Sequence, residues 1–552
     1  MNKQDTVPSI WTTGTTEVFK TGTWRAALPQ HIHAPSPCHA ACPVNGDIAE
    51  WIGRARARDF RGAWEILTRH NPFPAVAGRI CHHPCEAACN RAGFDGSLAI
   101  CRLERYVGDR ALAEGWMFAP VEAPREERIA VVGGGPSGLS AAFHLRRRGY
   151  AVTLFESRPE LGGLMRYGIP SYRLARSVLD GEIARIVALG IDVRCGESME
   201  TTEDFERLRS GFDAVYLAIG ARCQKRLPRL DYTQPWVMDG ADYLARANAG
   251  ATPVLGKRVV VIGGGSAAID VARSALRAGH EVTILALESL SQMPAQREEV
   301  IEASDEGVAL VNGAMLTEVF DTGTAGLVLE CRRVQFETGA TRGQFTVIPI
   351  PGSAFALDAD AIVVSIGQDP DLAPFSAAFE TEGALLKANE RQATSLDRVY
   401  AGGDVASMAR FVTEAIGMGK RAALEVDRVL RGNPQGADDA DAEPVVELAA
   451  INTFYYPRQG RAVEQRLPAA QRLASGSEVQ IGFDLEQALA ETERCFSCGT
   501  CIECDNCVHY CPDLAVKREA GGYLVLTDYC KGCGLCVKEC PTGSMRMTEE
   551  AR

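Results

Sequence analysis

The sequence predicts a multidomain chain with a helical N-terminal domain, two α/β domains, one inserted into the other, and a small α+β domain at the C-terminus. Two glycine-rich turns each follow an apolar, β-rich segment and precede a helical pattern. The 19 cysteines are clustered, with six between Cys38 and Cys101 and ten between Cys495 and Cys540. The 552 residues, 46% of them hydrophobic, suffice for about three or four domains.

The overall composition excludes several classes of function. A net charge of −13 argues against nucleic acid and against an anionic membrane surface as partners. Residues 1–22 are polar and rich in threonine, so we expect no secretory signal, and the lack of a run of about 18 apolar residues predicts no membrane span. Clustered cysteines in such a chain indicate metal ligation in a reducing compartment, and we expect a cytoplasmic protein.

Two cysteine runs near the C-terminus share the pattern Cys-x2-Cys-x2-Cys-x3-Cys-Pro. Bacterial two-cluster ferredoxins use this run, and the fourth Cys of each run there ligates the other cluster. We therefore predict two [4Fe–4S] clusters in a bacterial ferredoxin-like domain over residues 494–552. The first run is Cys501, Cys504, Cys507 and Cys511, and the second is Cys530, Cys533, Cys536 and Cys540.

Cys495 and Cys498 stand just before these runs. Two cysteines cannot close a cluster alone, so we interpret them as a nearby structural pair, either holding zinc or without a ligand.

Residues 128–156 predict a Rossmann-like dinucleotide site. A strand over Ile129–Val132 enters a glycine turn, a helix follows, and a second strand over Ala151–Phe155 ends at an acid. The glycines permit a tight turn and a close approach of the pyrophosphate, which faces the helix N-terminus, and the acid can accept the ribose hydroxyls. The residues expected at the cofactor are Gly133, Gly135, Pro136, Ser137, Gly138 and Glu156.

Residues 258–288 repeat this pattern and predict a second dinucleotide site. Its turn contains Gly263, Gly265, Ser266, Ala267 and Ala268.

Further along, an apolar strand ends at Gly403 and Asp404, and a helix is predicted over Phe411–Ala423. The aspartate can bind a ribityl or ribose hydroxyl. The helix N-terminus near Thr413 can direct its positive end at a flavin.

These segments, with GGLMRYGIPSYRL around Gly163, resemble the glutamate synthase small subunit family and the flavin-binding end of dihydropyrimidine dehydrogenase over roughly residues 35–430. The resemblance implies a flavoprotein of the two-dinucleotide-binding type, with FAD in the first unit and NAD(P)H in the inserted one. We predict a helical Fe–S domain at 1–125, FAD-binding halves at 126–255 and 371–431, an NAD(P) domain at 256–370, and a linker or strap at 432–493.

The identity of the nicotinamide cofactor depends on the residues after the second strand of the inserted unit. Relatives specific for NADPH usually place two arginines there, whereas this chain has Ala286 and Leu287, followed by Glu288. Without a guanidinium a 2′-phosphate has no partner, and the acid would repel it. We therefore favour NADH, and NADPH stays open because Arg297 could reach the site.

The resemblance also implies two [4Fe–4S] clusters in the N-terminal domain, and this chain departs from the family pattern. The first stretch normally reads Cys-x2-Cys-x4-Cys-x3-Cys-Pro, but Gln30 and His33 occupy its two leading positions. The cluster that would also use Cys38 and Cys89 has lost half of its ligands.

The other N-terminal cluster would use Cys42, Cys81 and Cys85, with Glu104 or a retained cysteine (Cys38, Cys89 or Cys101) as the fourth ligand. We predict this one cluster. A degenerate second cluster using His33 and a zinc site are the alternatives.

The middle of the chain contains no paired redox cysteines. Cys195, Cys223 and Cys331 are isolated, and we expect them to be small buried hydrophobic residues. Electrons must therefore leave the flavin through Fe–S clusters.

We predict an electron-transfer subunit that exchanges hydride between NAD(H) and FAD and passes single electrons to or from a partner oxidoreductase. Residues 495–511 resemble a segment of the electron-transfer arms of 2-oxoacid:ferredoxin oxidoreductases, which favours a 2-oxoacid oxidoreductase as the partner. Alternatives are a glutamate synthase large subunit with NADPH as the reductant, a sulfite-reductase-like enzyme, or free ferredoxin as the acceptor of a stand-alone enzyme.

Overall fold

The computed structural model describes residues 25–121, 123–323, 326–339, 344–375, 379–432 and 444–550. The predicted absence of a signal over residues 1–22, and most of the linker at 432–444, concern residues outside this described part. Within the described ranges, no helix is long and apolar enough to cross a membrane.

The N-terminal domain is helical, as predicted. Helices α2 (Ile48–Arg56) and α3 (Phe60–Leu67) are separate because the chain turns between them at Arg58, whose φ of 63° is left-handed. Trp51 and Trp64, each at most 2% exposed, anchor the two helices in the core. The elements are β1 (Ala27–His31), α1 (Pro37–Ala41), α2 (Ile48–Arg56), α3 (Phe60–Leu67), α4 (Pro74–Ile80), α5 (Pro84–Ala87) and α6 (Ile100–Ala113).

The first FAD-binding half begins with the predicted strand, turn, helix and strand. A second turn, centred on Gly162 and Gly163, follows this unit. The elements are β2 (Arg128–Val132), α7 (Pro136–Arg147), β3 (Ala151–Glu156), α8 (Leu164–Tyr167), α9 (Arg176–Val187), β4 (Asp192–Cys195), α10 (Thr202–Ser210), β5 (Ala214–Leu217) and β6 (Cys223–Gln224).

The inserted α/β unit is a five-stranded parallel sheet with an antiparallel three-stranded sheet beside it. Its elements are β7 (Val237–Asp239), α11 (Gly240–Asn248), β8 (Arg258–Ile262), α12 (Ser266–Arg277), β9 (Glu281–Leu285), α13 (Arg297–Glu306), β10 (Ala309–Val311), β11 (Ala314–Asp321), β12 (Leu327–Thr338), β13 (Phe345–Ala359) and β14 (Ala361–Val364). The parallel order is β10-β9-β8-β14-β7.

The predicted boundary at residue 256 is therefore too late. Strand β7 pairs with β14, with Val237 opposite Ile362, so the inserted unit begins before residue 237. A three-residue edge strand without a glycine turn gives no signal in the sequence.

The second FAD-binding half completes the first sheet. It adds β15 (Gln368–Asp369), β16 (Thr381–Glu382), β17 (Leu385–Leu386), β18 (Val399–Ala401) and α14 (Val412–Leu430). The parallel sheet has the order β18-β5-β2-β3-β4, so strands from both halves share it.

The ferredoxin-like domain includes a strand from the other end of the chain. The last elements are β19 (Gln465–Arg466), α15 (Ala469–Ala474), β20 (Gln480–Gly482), α16 (Leu485–Glu493), α17 (Asn506–His509), β21 (Val516–Glu519), β22 (Gly522–Val525), α18 (Leu535–Lys538) and β23 (Met545–Glu549). Strand β1 pairs antiparallel with β23, from Ala27 opposite Glu549 to His31 opposite Met545. The assignment of residues 25–31 to the N-terminal Fe–S domain is thus corrected, since their pairing is non-local.

Where the structure describes it, the predicted strap at 432–493 contacts both the N-terminal domain and the inserted α/β unit, in which Glu302 accepts from the side chain of Gln480 at 3.1 Å. Arg494, which follows α16 and has a side chain 0% exposed, pairs with Glu491 at 2.7 Å and donates to the carbonyl O of Gly96 at 2.7 Å. Arg91 donates to the carbonyl O of Pro457 at 2.8 Å. A buried arginine needs charged or polar partners, and the partners of Arg91 and Arg494 come from both the strap and the N-terminal domain. These two segments therefore form one packed unit.

Candidate functional site

The first glycine turn leaves room only for glycine at two positions. A Cβ on Gly133, whose φ is 109°, would come 2.2 Å from the carbonyl O of Ala218. A Cβ on Gly138 would come 1.9 Å from the carbonyl O of Gly133. Helix α7 starts after Gly135, which has no side-chain oxygen to cap its first N–H groups, and Pro136 and Ser137 form its first turn. An uncapped helix start behind a glycine turn fits a pyrophosphate.

Glu156 lies over this turn. The residue is 7% exposed, and its carboxylate accepts from the backbone N–H of Gly134 at 2.7 Å and from that of Arg158 at 2.8 Å. Gly163 belongs to a second turn that touches the first, since its added Cβ would come 2.8 Å from the Cα of Gly135. The carboxylate is thus placed where the ribose of a dinucleotide is bound in this fold.

The second half of the domain meets the first at helix α14. A Cβ on Gly419 would come 2.2 Å from the carbonyl O of Ser137, so the backbones of α7 and α14 are in contact. Gly403 follows β18 with a φ of 75°, and its added Cβ would come 3.1 Å from the Cβ of Ser137. Burial raises the pKa of Asp404, with Arg410 opposing the shift. Gly403 and helix α14 therefore pack against the first-half turn, and we expect Asp404 and the start of α14 to face one FAD site there.

The second glycine turn repeats this arrangement. A Cβ on Gly263, whose φ is 139°, would come 2.3 Å from the carbonyl O of Ser365. Gly265 precedes α12, whose first residues are Ser266, Ala267 and the fully buried Ala268. A Cβ on Gly264 would come 2.5 Å from Oε2 of Glu288, so this acid lies over its turn as Glu156 does. Burial raises the pKa of Glu288.

The structure brings Cys42, Cys81 and Cys85 together with Glu104. Burial raises the pKa of Cys81 to about 12, and Glu104 and Cys42 are close enough to raise it further. Burial also raises the pKa of Cys85, with Cys81, Cys42 and Cys101 as neighbours. Asn71 donates to Oε1 of Glu104 at 2.8 Å, and burial raises the pKa of this acid to about 7. Three thiols and a buried acid fit a cluster with one non-cysteine ligand, and Cys101 remains the other candidate.

This N-terminal cluster site lies against the first turns of helix α14. The thiol of Cys81 donates to Oγ1 of Thr413 at 3.5 Å. The ring of His82 stacks on Phe411 with centroids 3.9 Å apart. A Cβ on Gly417 would come 2.2 Å from the carbonyl O of Pro43, the residue after Cys42. The helix predicted to face the flavin is therefore in direct contact with the N-terminal cluster site.

The C-terminal cysteines form two groups that exchange their fourth members. Burial raises the pKa of Cys507 to about 12, and Cys504, Cys540 and Cys501 raise it further. Burial likewise raises the pKa of Cys536 to about 12, with Cys530, Cys511 and Cys533 as neighbours. These are the two ligand sets that the ferredoxin pattern implies.

The structure also places Cys495 and Cys498 beside Cys38 and Cys89, which sequence reasoning missed. The four cysteines line one cavity together with apolar side chains that include Ile52, Leu98 and Phe496. The only signals in the sequence were two lost ligands at one end of the chain and two surplus cysteines at the other.

The expectation for the isolated cysteines holds for one of the three. Cys331 is fully buried in β12. Cys195 and Cys223 are exposed, so the prediction that they are buried is wrong. Cys195 ends β4, the edge strand of its sheet, where one side is open to solvent.

Comparisons with known proteins agree with this arrangement. The model of the pyridine nucleotide-disulphide oxidoreductase family matches residues 127–419. The model described as dihydropyrimidine dehydrogenase domain II, 4Fe-4S cluster, matches residues 33–116, and that of the 4Fe-4S dicluster domain matches residues 500–545.

Three relatives have similar sequences. The chain is 35% identical to the NADP(+)-dependent formate dehydrogenase subunit beta of Moorella thermoacetica, over 86% of this chain and 72% of that protein. It is 32% identical to the NADPH-Fe(3+) oxidoreductase subunit beta of Geobacter sulfurreducens, over 84% and 75%. It is 32% identical to the NAD-dependent dihydropyrimidine dehydrogenase subunit PreT of Escherichia coli, over 72% and 92%.

Together these findings confirm the expected cofactor classes: FAD, a nicotinamide dinucleotide, and [4Fe–4S] clusters at both ends of the chain. They also confirm an oxidoreductase that works as a subunit of a larger assembly. The matched family model spans more than half of the 552 residues. The chain belongs to the pyridine nucleotide-disulphide oxidoreductase family.

Proposed function

We propose that this chain takes hydride from NADH, or returns it to NAD+, and exchanges single electrons with a separate catalytic subunit through its Fe–S clusters. The contact between Cys81 and Thr413 at 3.5 Å carries this proposal, because it joins the N-terminal cluster site to helix α14, which we expect to face the flavin. FAD, when bound, supplies the conversion between electron pairs and single electrons. The protein residues hold the cofactors close together and need supply no nucleophile.

We propose NADH as the preferred nicotinamide cofactor. Glu288 lies over Gly264 as Glu156 lies over Gly134, which is the position of a ribose-binding acid. The residues in front of it, Ala286 and Leu287, carry no charge, so a 2′-phosphate would meet an acid and no guanidinium. Arg297 is exposed as the first residue of α13, so a salt bridge from it would be weak.

We propose that the partner is a thiamine-dependent 2-oxoacid oxidoreductase, acting on pyruvate, 2-oxoglutarate or an aryl glyoxylate. The support is the resemblance of residues 495–511 to electron-transfer arms of that class. A formate dehydrogenase is the second candidate, because the Moorella thermoacetica relative bears that name and is similar over 86% of this chain.

One experiment tests the cofactor and the partner. The chain is tagged at its native locus and purified anaerobically with whatever remains bound to it. NAD+ and NADP+ reduction are then measured with formate and with each 2-oxoacid. The proposal expects NADH to bleach the flavin at least about tenfold more efficiently than NADPH, a preference of 1.4 kcal/mol. Reduction of NAD+ by formate alone would refute the 2-oxoacid partner, and faster bleaching by NADPH would refute the assignment of Glu288.

A further inference from the structure

We infer that Cys38, Cys89, Cys495 and Cys498 together hold a fourth [4Fe–4S] cluster, with two ligands from each end of the chain. This site does not depend on the identity of the electron donor or of the partner.

The first support is the meeting of the four thiols around one cavity. Cys38 lies on α1, and Cys89 follows α5. Cys495 and Cys498 line the same cavity from the other side, and its remaining walls are mainly apolar. A buried, apolar cavity lined by four cysteines is the environment of an Fe–S cluster.

The second support is the backbone conformation of the loop that carries Cys495 and Cys498. In each predicted cluster loop of the ferredoxin-like domain, the second residue after the first cysteine is left-handed and its N–H donates to that cysteine's sulfur. For Cys501 and Cys530 the donors are Glu503 and Gly532, with φ values of 53° and 69° and N···S distances of 3.4 Å. For Cys495 the donor is Ser497, with a φ of 49° and the same distance of 3.4 Å.

The match continues past the second cysteine of each loop. The residues that follow Cys504 and Cys533 are Asp505 and Gly534, with φ values of 61° and 75°. The residue that follows Cys498 is Gly499, with a φ of 72°. A left-handed conformation at a non-glycine residue such as Ser497 is strained and persists only where the surroundings enforce it. The segment 495–499 therefore has the conformation of a cluster loop, although it lies outside both ferredoxin runs.

Hydrogen bonds to sulfur surround the site. The amide of Asn90 donates to the sulfur of Cys498 at 3.5 Å, between residues 408 positions apart. The hydroxyl of Ser36 lies 3.1 Å from the sulfur of Cys38. The side chains of Asn90 and Ser36 and the N–H of Ser497 thus supply donors from both ends of the chain, which would stabilise thiolates that ligate a cluster.

The third support is the location of Gln30 and His33, which occupy the two positions where relatives have cysteines. Gln30 lies in β1, paired with Arg546 of β23 and exposed to solvent. His33 is also exposed and does not line the cavity. The segment that carries the leading ligands in relatives has therefore become a strand of the ferredoxin-like domain. The segment after β1 also contacts the loop that carries Cys495 and Cys498, because the N–H of Ala34 donates to the carbonyl O of Gly499 at 3.2 Å.

The match of segment 495–499 to the ferredoxin cluster loops favours a cluster over a single zinc ion. Zinc would require sulfurs converging to about 2.3 Å from one metal. Among the residues that the structure describes, no three His, Cys, Asp or Glu side chains converge closely enough to hold one ion.

The site would make the Fe–S path continuous from the flavin to the C-terminus. Cys38 and Cys42 lie at the two ends of the short helix α1, so the two N-terminal sites are neighbours. Cys498 is three residues from Cys501. Tyr456 donates to the carbonyl O of Phe496 at 2.9 Å and lies near Cys495, Cys498 and Cys540. The inferred cluster fills the gap between the N-terminal cluster and the ferredoxin-like pair.

Iron counting on paired variants tests the inference. The full chain is reconstituted anaerobically as wild type, as Cys38→Ala/Cys89→Ala, as Cys495→Ala/Cys498→Ala, and as the quadruple variant. We expect about sixteen Fe per wild-type chain and about twelve in each of the three variants, since one shared cluster can be lost only once. Each variant should lose the same signal from the electron paramagnetic resonance spectrum of the reduced protein.

The control is Cys195→Ala/Cys223→Ala, which removes two exposed thiols and should keep all iron. FAD content and the ferredoxin-like signals report whether each variant is folded. About twelve Fe in the wild type with no further loss in the variants would overturn the inference. So would about eight Fe in the quadruple variant, or stoichiometric zinc in the protein as isolated from cells.

Discussion

Replacing Gly417 by alanine tests the contact between helix α14 and the N-terminal cluster site. A Cβ built on Gly417 would come 2.2 Å from the carbonyl O of Pro43, whereas ordinary contact begins at 3.4 Å, so the two backbones must separate by about 1.2 Å. Neither contacting atom is the end of a flexible side chain. The segment that carries Cys42 must therefore move away from the helix that carries Thr413.

The expected cost follows from two opposing effects. Overpacking in a close contact costs about 1–3 kcal/mol, and replacing a helical glycine by alanine contributes about 0.5–1 kcal/mol in the other direction. We expect Gly417→Ala to lower the free energy of unfolding by about 1–2 kcal/mol. The matched control is Gly53→Ala in α2, where an added Cβ has no atom within 4 Å. This control should stabilise the chain by about 0.5–1 kcal/mol.

Two assays measure the effect. Urea unfolding, followed by release of the flavin, gives the change in stability. Anaerobic stopped-flow mixing with NADH gives the bleaching of the flavin and the later reduction of the clusters. Gly417→Ala should bleach at the wild-type rate and reduce its clusters more slowly, because the change lies between the two sites. The reasoning is refuted if Gly417→Ala matches Gly53→Ala in both assays.

Three further predictions concern other parts of the chain. Glu288→Ala should raise the catalytic efficiency with NADPH relative to NADH by about tenfold or more in steady-state assays, because removing a like charge near the 2′-phosphate is worth about 1–3 kcal/mol. An unchanged ratio of the two efficiencies would contradict the assignment of Glu288 to the ribose site. Glu182 accepts from the N–H groups of Ala75 and Val76, each at 3.0 Å, and burial raises its pKa to about 8 from 4.5. Between these two pH values the folded state keeps a proton that the unfolded state has lost, so the free energy of unfolding should fall by about 1.4 kcal/mol for each unit of rising pH. Glu182→Gln should flatten this slope in urea titrations. An unaltered slope would show that Glu182 is ionised in the folded state. Arg494→Ala removes the cation between Asp95 and Glu491 and should lower the free energy of unfolding by about 3–5 kcal/mol. The amides of residues 495–499 should then exchange hydrogen faster. Equal protection of these amides in variant and wild type would count against the strap as the support of that loop.

Local patterns predicted much of the fold and of the dinucleotide sites. The turns at Gly133 and Gly263 were identifiable because their spacing, neighbouring strands and following helices are contiguous in sequence. Steric contacts such as that between Gly138 and Gly133 explain why only glycine is suitable there. The ferredoxin runs were identifiable for the same reason, since most of each ligand set is local.

Non-local contacts could not be predicted in this way. The pairing of β1 with β23 joins opposite ends of the chain, and neither strand has a turn signal that points to the other. The position of Cys495 and Cys498 depends on the buried network around Arg494, whose partners lie on a distant segment. The sequence alone revealed the two missing cysteines at positions 30 and 33 and the two extra cysteines, Cys495 and Cys498. Only the structure shows that the extra pair lies beside Cys38 and Cys89.

Following electron transfer with time after anaerobic mixing with NADH tests the central claim most directly. Samples are frozen at intervals and examined by electron paramagnetic resonance while flavin absorbance is recorded in parallel. The account predicts that Fe–S signals rise as soon as the flavin is reduced, at a rate above catalytic turnover with the partner. Reduced flavin with clusters that stay oxidised over the turnover time would contradict it.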